Sequence, residues 1–217
     1  MTGLIIKDFK LLKVQRSFFL VFMGIALWME MFMENTSFII GYMTFCGSMA
    51  VLNTISYDEY NNGNAFLFSL PISRKGYVLE KYTFGFITGG AAWLFAVVVS
   101  AVISIAKHSF SAKDLVPIAI MHLALLAILM AIMLPIQLKF GSEKRFFVIF
   151  IIFGLVLIIA GILFGITRLL KIDLDSVLSS LSAVSGEILA SAIIVIALLA
   201  LLLSYRISVG IMNKKEF

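Results

Sequence analysis

Long apolar runs alternate with short polar connections along the whole chain. Six of the runs reach about 20 residues, the length that a helix needs to cross a hydrocarbon core of about 30 Å. We therefore predict an all-α integral membrane fold in which residues 1–217 form a single transmembrane domain. The six spans are predicted over residues 17–33, 38–56, 83–106, 115–138, 146–167 and 187–205.

The first 16 residues precede the first span and carry both apolar and basic side chains. On a helix over 2–16, the apolar side chains form one stripe and the lysines another. The apolar stripe comprises Ile5, Phe9 and Leu12, and the basic stripe comprises Lys7, Lys10 and Lys13. This pattern predicts an interfacial helix that lies along the membrane with its bases toward anionic lipid. A plain basic anchor before the first span is the alternative.

Residues 168–186 also stand outside the spans. They mix leucine, isoleucine and valine with serines and acids, and they are too short and too polar to cross a bilayer. We predict a re-entrant or surface-lying segment on the outer side, because irregular backbone at membrane depth is tolerated only where protein covers it.

Charge gives the orientation. The N-terminus, the 57–82 stretch, residues 139–145 and the C-terminal tail carry 13 of the 17 Lys and Arg residues. The positive-inside rule then places both termini and the 57–82 stretch in the cytosol of a multi-pass cell-membrane protein. With 62% hydrophobic residues, the net charge of +5 marks a cytosolic face and anionic headgroups, not a nucleic-acid site.

The 57–82 stretch is the longest polar segment between two apolar runs. It begins with acids and asparagines, continues through an apolar Phe66–Phe68 patch, and reaches a turn at Pro71. Proline favours an extended residue before it, which ends the preceding element. Ser73 is a suitable N-cap for a helix that runs through Arg74 and Lys75 into the third span. We name this stretch the 57–82 loop.

Few residues inside the spans are candidates for chemistry. His122 is a lone ionisable group in the fourth span, and intramembrane ionisable groups are functional candidates. No second histidine, acid or cysteine stands at ligand spacing, so no metal site is predicted. The favoured interpretation is a neutral histidine that is hydrogen-bonded to a neighbouring helix.

A substrate path is the second interpretation of these residues. Glu30 and Glu34 share one side of the first span near its outer end, where they would attract cationic substrate, although acids at a water boundary need no such role. Met23 and Met43 would give a soft, adaptable surface, with lipid-facing methionine as the equal alternative. The predicted path comprises Met23, Glu30, Glu34, Met43 and His122.

Two GxxxG patterns, Gly85–Gly89 and Gly161–Gly165, allow close helix packing. Packing within the chain is the default interpretation of both, and a subunit interface is the alternative. Motifs for catalysis are absent from the sequence: GxxxxGK[ST], HExxH and GxSxG do not occur. The chain therefore offers no nucleotide site and no catalytic constellation of its own.

The 57–82 loop carries a family resemblance. The loop starts with Tyr57-Asp58-Glu59, continues through Asn62-Gly63 and a Leu-Pro-Ile-Ser-Arg core at 70–74, and ends with Lys81-Tyr82 entering a span. This order of motifs resembles the small bacterial permease subunits of type-2 ATP-binding-cassette exporters. The resemblance covers the whole chain, including six spans, both ends inside and a basic N-terminal helix.

The resemblance implies a half-transporter. Two permease subunits, here expected to be a homodimer, would pair with two separately encoded ATPase subunits that bind ATP and Mg²⁺, and this chain would bind no cofactor. The 57–82 loop would be the coupling loop, with a docking element over 58–69 and a lever from Ser73 into the membrane. The implied ATPase-coupling residues are Tyr57, Asp58, Glu59, Tyr60, Asn61, Asn62, Gly63, Asn64, Phe66, Pro71, Ser73, Arg74 and Lys75.

The expected cargo is amphipathic or hydrophobic, with a peptide toxin or antimicrobial peptide favoured over a drug. Two other classes of function compete with export. An intramembrane enzyme would need convergent catalytic side chains, and mutation of His122 would then abolish a reaction. A stand-alone channel or ion-coupled carrier would need charged or broken helices in mid-membrane, whereas these spans are nearly free of charge.

Overall fold

The computed structural model describes residues 2–32, 36–60, 63–106, 112–169 and 186–216. Throughout these ranges the regular structure is helical, which confirms the predicted all-α class. The helices are α1 Thr2–Val14, α2 Arg16–Phe32, α3 Thr36–Glu59, α4 Gly63–Ser69, α5 Arg74–Ala106, α6 Ala112–Leu169 and α7 Gly186–Lys214. Most of the predicted re-entrant segment, residues 170–185, lies outside the described residues.

Within the described residues, four helices are long and apolar enough to cross a membrane. They are Ser37–Glu59, Arg74–Ala106, Leu115–Lys144 and Ala190–Lys214, and they correspond to the predicted second, third, fourth and sixth spans. Thr2–Val14 and Phe19–Glu30 meet at a bend of 67°, and together they would make a fifth, broken span. The chain is thus a multi-pass membrane protein, while the number six stays a prediction.

The predicted connection between spans four and five is helical except at one residue. Gly141 has φ 71° and ψ −178°, a conformation that is essentially restricted to glycine, and it breaks the 58-residue α6. The predicted spans 115–138 and 146–167 therefore lie on the two sides of a single-glycine break, where a loop over 139–145 was expected.

Glycines bring α3, α5 and α6 close together. A Cβ on Gly47 of α3 would lie 2.5 Å from the Cβ of Ala92 on α5. On α5, a Cβ on Gly85 or Gly89 would lie 2.5 Å from the Met130 sulfur or 2.4 Å from Leu126 Cδ1 of α6. The first GxxxG pattern therefore packs within the chain, as predicted. Near Gly161 and Gly165, no described atom lies within 4 Å of a built Cβ.

The largest apolar core lies where α3, α5, α6 and α7 approach the 57–82 loop, and we call this the loop end of the bundle. Its most buried members include Val51, Val78, Phe84, Leu134 and Met212. A smaller cluster lies toward the opposite end, where Ala26, Ile39, Ile40, Met43 and Ala96 pack together. The loop thus lies against the largest apolar core of the described structure.

Candidate functional site

A short helix, α4, forms the middle of the 57–82 loop, and a capped helix follows it. The backbone N–H of Gly76 donates to Ser73 Oγ at 3.0 Å, and the N–H of Tyr77 donates to the Ser73 carbonyl at 2.9 Å. Ser73 is therefore the N-cap of α5, as predicted, and α5 continues unbroken to Ala106. One helix thus runs from the loop into a membrane-spanning segment.

Large apolar side chains project from the loop. Phe66 on α4 is 71% exposed and Tyr60, which follows α3, is 72% exposed, with Leu70 exposed beyond α4. On the inner side of α4, Asn64 and Leu67 are buried. We call Tyr60, Phe66 and Leu70 the exposed apolar tip. Aromatic side chains exposed in this way are typical of surfaces that contact a partner.

Asp58 belongs to a different environment, because it is only 7% exposed. Its carboxylate pairs with Lys7 of α1 and with Lys81 of α5, whose Nζ lies 2.8 Å from Asp58 Oδ2. The Tyr77 hydroxyl donates a further hydrogen bond to it at 3.1 Å. In contrast to the expected partner contact, Asp58 binds inside the chain.

Asp58 and four nearby charged residues form what we call the buried ion cluster, in which only Lys7 is partly exposed: Lys7, Asp8, Asp58, Glu80 and Lys81. Asp8 and Lys81 pair with each other, and both side chains are 0% exposed. The Lys81 ammonium also lies 3.7 Å from Glu80 Oε2. Breaking such a buried pair by removing one partner costs roughly 3–5 kcal/mol. The cluster therefore fastens α1 to the loop ends of α3 and α5.

Glu59 makes a second intrachain anchor. Its Oε2 accepts a hydrogen bond from the Ser142 backbone N–H at 3.0 Å, next to the α6 break at Gly141. Its Oε1 pairs with Lys215 Nζ at 3.0 Å, and the same ammonium donates to the Leu138 carbonyl. Glu59 thus ties the end of α3 to the break in α6 and to the C-terminal tail.

Arg74 makes a third anchor, at the start of α5. Its guanidinium donates to the carbonyls of Met212 at 2.6 Å and Asn213 at 2.8 Å, near the C-terminus of α7. A cation in this position satisfies carbonyls that lack intrahelical partners. The same guanidinium lies 6.0 Å from the centre of the Phe68 ring of α4. Arg74 therefore connects α4, α5 and α7.

The thirteen residues predicted for ATPase coupling thus fall into an outer and an inner set. Six are exposed: Tyr57, Tyr60, Phe66, Pro71, Ser73 and Lys75. Asp58 and Asn64 are buried, and Glu59, Gly63 and Arg74 are partly buried. Asn61 and Asn62 lie outside the described residues. Four of the six exposed residues are aromatic or apolar, while both acids bind within the chain.

Sequence reasoning missed Asp8 and Glu80, and it used Lys81 only as part of the family resemblance. The signal available for Asp8 was an acid in an otherwise basic N-terminal helix. Asp8 lies on the face of α1 that also buries Leu4, whereas the predicted apolar stripe was Ile5, Phe9 and Leu12. Phe9, a member of that predicted stripe, packs against Phe84 of α5 in an edge-to-face contact with ring centres 5.3 Å apart.

The structure places the described substrate-path residues on α2, α3 and α6, and their role stays a prediction. Met43 lies in the smaller apolar core, Met23 is partly buried on α2, and Glu30 is buried near the end of α2. Glu34 lies outside the described residues. His122 lines an open groove between α3 and α6. Its Nδ1 donates to the Ile118 carbonyl of its own helix at 2.8 Å, which corrects the prediction of a hydrogen bond to a neighbouring helix.

Comparison with known protein families shows to which family the chain belongs. Residues 3–213 match the family model described as ABC-2 family transporter protein. The chain belongs to the ABC-2 transporter family. As an ABC-2 protein it is a permease component of an ABC transporter, a kind of subunit that is generally non-catalytic and that partners with an ATPase subunit. Neither a curated protein nor a solved structure was found to match the chain.

Several ionisable side chains of this ABC-2 permease form ion pairs at the loop end. Across the part of the chain that the structure describes, no group of three or more His, Cys, Asp or Glu side chains is placed to hold a metal ion. The charges that do cluster, at the loop end, pair with one another and link helices. In this ABC-2 permease they join α1 to the ends of α3 and α5 that flank the 57–82 loop.

Proposed function

We propose that this ABC-2 permease is the membrane subunit of an ATP-driven exporter, and that α4 with the exposed apolar tip docks onto a separate ATPase subunit. The single observation that supports docking most is the exposure of Phe66 on a helix whose flanks are anchored inside the chain. ATP and Mg²⁺ would bind to the partner subunit, because this sequence has no phosphate-binding motif.

The anchors around α4 suit the transmission of movement. Before α4, Asp58 links α3 to α1 and α5, and Glu59 links α3 to the break in α6. After α4, Arg74 links the start of α5 to the end of α7. A displacement of the docked α4 would therefore reach every helix that enters the loop end. Since α5 is continuous from Arg74 to Ala106, no flexible joint would absorb it.

The remaining parts of the proposal concern the assembly. Two copies of the permease would form a homodimer and pair with two ATPase subunits in the cell membrane, with both termini and the 57–82 loop in the cytosol. Closure of the ATPase subunits on ATP would drive alternating access. The cargo would be amphipathic or hydrophobic, with peptides favoured, because the spans offer few polar groups that recognise a sugar or an ion.

Copurification with the cognate ATPase tests docking. The replacement Phe66→Asp puts a charge into the exposed apolar tip, whereas Val14→Asp makes a comparable change at an exposed apolar side chain on α1. Central aromatic contacts contribute about 2 kcal/mol or more, so Phe66→Asp is expected to lower ATPase recovery by about tenfold or more. Val14→Asp should leave recovery unchanged. Equal recovery with both variants would contradict docking through α4.

Exposed residues give a clearer test of docking than the buried charges do. Replacing Asp58 with lysine would place a third ammonium group beside Lys7 and Lys81, so a loss of ATPase binding would also follow from misfolding. Phe66 is free of this problem, because its side chain is mostly outside the packed core. Retained thermal unfolding of Phe66→Asp in detergent is the control for folding.

A further inference from the structure

An open groove lies between the beginning of α3 and the first part of α6. It has a volume of about 500 Å³ and is lined by Ser37, Phe38, Gly41, Tyr42, Phe45 and His122. Asp58 and Glu59 are at the other end of α3, a helix of 24 residues. At 1.5 Å per residue, the groove and the exposed apolar tip are separated by most of the roughly 36 Å length of α3.

His122 presents a hydrogen-bond acceptor at this groove. Its Nδ1 lies 2.8 Å from the Ile118 carbonyl, and because a carbonyl oxygen only accepts, Nδ1 carries the ring proton. In the neutral ring, Nε2 is then the acceptor. His122 is only 8% exposed, and among the described residues its Nε2 makes no hydrogen bond.

Gly41 leaves the space that this orientation needs. A Cβ at position 41 would lie 3.0 Å from His122 Nε2 and 3.2 Å from Cδ2, closer than most real Cβ contacts. The imidazole therefore sits directly over the α3 backbone, with Nε2 at the wall of the groove. Phe38 and Phe45 are both exposed, so the same groove offers aromatic surface beside the acceptor.

The acceptor restricts what can fill the groove. Nε2 faces the groove, where an occupant that donates N–H or O–H would supply its partner, and a hydrogen bond of this kind contributes about 0.5–1.5 kcal/mol. The phosphate and ester oxygens of phosphatidylcholine only accept hydrogen bonds, so this lipid cannot supply the donor. A peptide in an apolar environment has the complementary need, because its backbone N–H groups require acceptors.

We propose that the α3–α6 groove is a substrate subsite for amphipathic peptides. In it, His122 Nε2 accepts a hydrogen bond from a peptide backbone N–H, and Phe38 and Phe45 pack against apolar side chains of the peptide. The subsite rests on the proposed export function and defines the chemistry of its cargo: an apolar, partly extended peptide with free N–H groups. Ser37 and Tyr42 line the same groove and contribute polar side chains beside the acceptor.

The test uses the purified permease in phosphatidylcholine nanodiscs. The probe is a five-residue peptide of leucine, phenylalanine and lysine with a photoreactive diazirine, and the competitors are the unlabelled peptide and its backbone N-methylated analogue. N-methylation removes the donors and keeps the apolar side chains. One hydrogen bond contributes about 0.5–1.5 kcal/mol, so the analogue should compete about threefold to tenfold less well for labelling of residues 37–45.

Three variants test whether that preference depends on His122. In His122→Phe, which keeps a ring without the acceptor, parent and analogue should compete equally. In Met121→Phe, which adds a ring at the adjacent exposed position of α6, the wild-type preference should persist. In Gly41→Ala the new methyl group would contact His122 Nε2, so the preference should also weaken. This variant provides the test if His122→Phe is not recovered folded. Equal competition in the wild type, or a preference retained in His122→Phe, would overturn the subsite.

The labelling needs no ATPase, so its outcome separates the two proposals. Labelling of the groove with the expected preference would support the subsite. ATPase recovery that Phe66→Asp does not change would contradict docking through α4, whatever the labelling result. Sensitive ATPase recovery with no labelling of the groove would support docking and overturn the subsite alone.

Discussion

Lys81 is a fully buried cation that holds two acids from separate helices. Its ammonium pairs with Asp8 of α1 and Asp58 of α3, and it also donates a hydrogen bond to Thr54 Oγ1 at 3.2 Å. Burial of all these groups is tolerated because each is paired, and loss of one leaves the others in an apolar setting. At the residue scale, the loop end therefore depends on Lys81 more than on any exposed charge of the 57–82 loop.

Lys81→Met tests this dependence. Methionine keeps the length of the side chain and removes the charge, so Asp8 and Asp58 lose their shared partner, and Asp58 keeps only Lys7 and Tyr77. The free energy of unfolding in detergent is expected to fall by roughly 3–5 kcal/mol. Lys75→Met, at an exposed position of the same helix, should change it by less than about 0.5 kcal/mol. Similar stability of the two variants would show that the buried pairing is not needed.

Single residues also show where sequence reasoning reaches its limit. The Ser73 N-cap was predictable, because a cap depends on a local pattern: a serine after Pro71 and before a helix-forming segment. The pairing of Lys81 with Asp8 joins residues 73 positions apart, and no local pattern contains it. For the same reason Asp58 was expected to face a partner, although α1 and α5 supply two lysines that bury it.

At the scale of elements, the break in α6 is held by contacts on both sides. Gly141 adopts a positive φ, the following N–H of Ser142 donates to Glu59, and the Leu138 carbonyl before the break accepts from Lys215. The sequence predicted a polar connection near these residues from its charges. It did not predict helix on both sides of one glycine, because the hydropathy of 139–145 suits a loop equally well.

Gly141→Ala is expected to destabilise this arrangement. A side chain at φ 71° and ψ −178° costs about 1–3 kcal/mol, and the new Cβ would also lie 3.3 Å from Glu59 Oε2. Gly154→Ala is the matched control in the same helix, because no described atom lies within 4 Å of its built Cβ. That control should stabilise the helix by about 0.5–1 kcal/mol. Thermal unfolding in detergent measures both, and a neutral Gly141→Ala would contradict the account of the break.

At the scale of the whole molecule, the two ends of the bundle differ. The loop end has the larger apolar core, the buried ion cluster and the exposed apolar tip, whereas the far end has the groove at His122. Membrane helices were predictable because spanning length and apolarity are local properties of a sequence. The groove was not, because it depends on how α3 and α6 meet around Gly41 and His122.

The difference between the ends suits a permease in which one end receives movement and the other contacts cargo. Helix α5 passes from the capped loop into the bundle, and its glycines pack it tightly against α6. Because packed cores transmit displacement with little compression, a shift at α4 would be carried along α5 toward the groove. The central claim is therefore that α4 is the surface on which the ATPase acts.

Site-specific photocrosslinking tests that claim most directly. A benzoylphenylalanine at position 66 places the reactive ketone on the exposed apolar tip, and the same residue at position 98, an exposed site far along α5, is the control. In membranes that also contain the ATPase, position 66 is predicted to form a covalent adduct with the ATPase and position 98 is not. An ATPase that copurifies but never crosslinks to position 66, or that crosslinks equally to both positions, would contradict the claim.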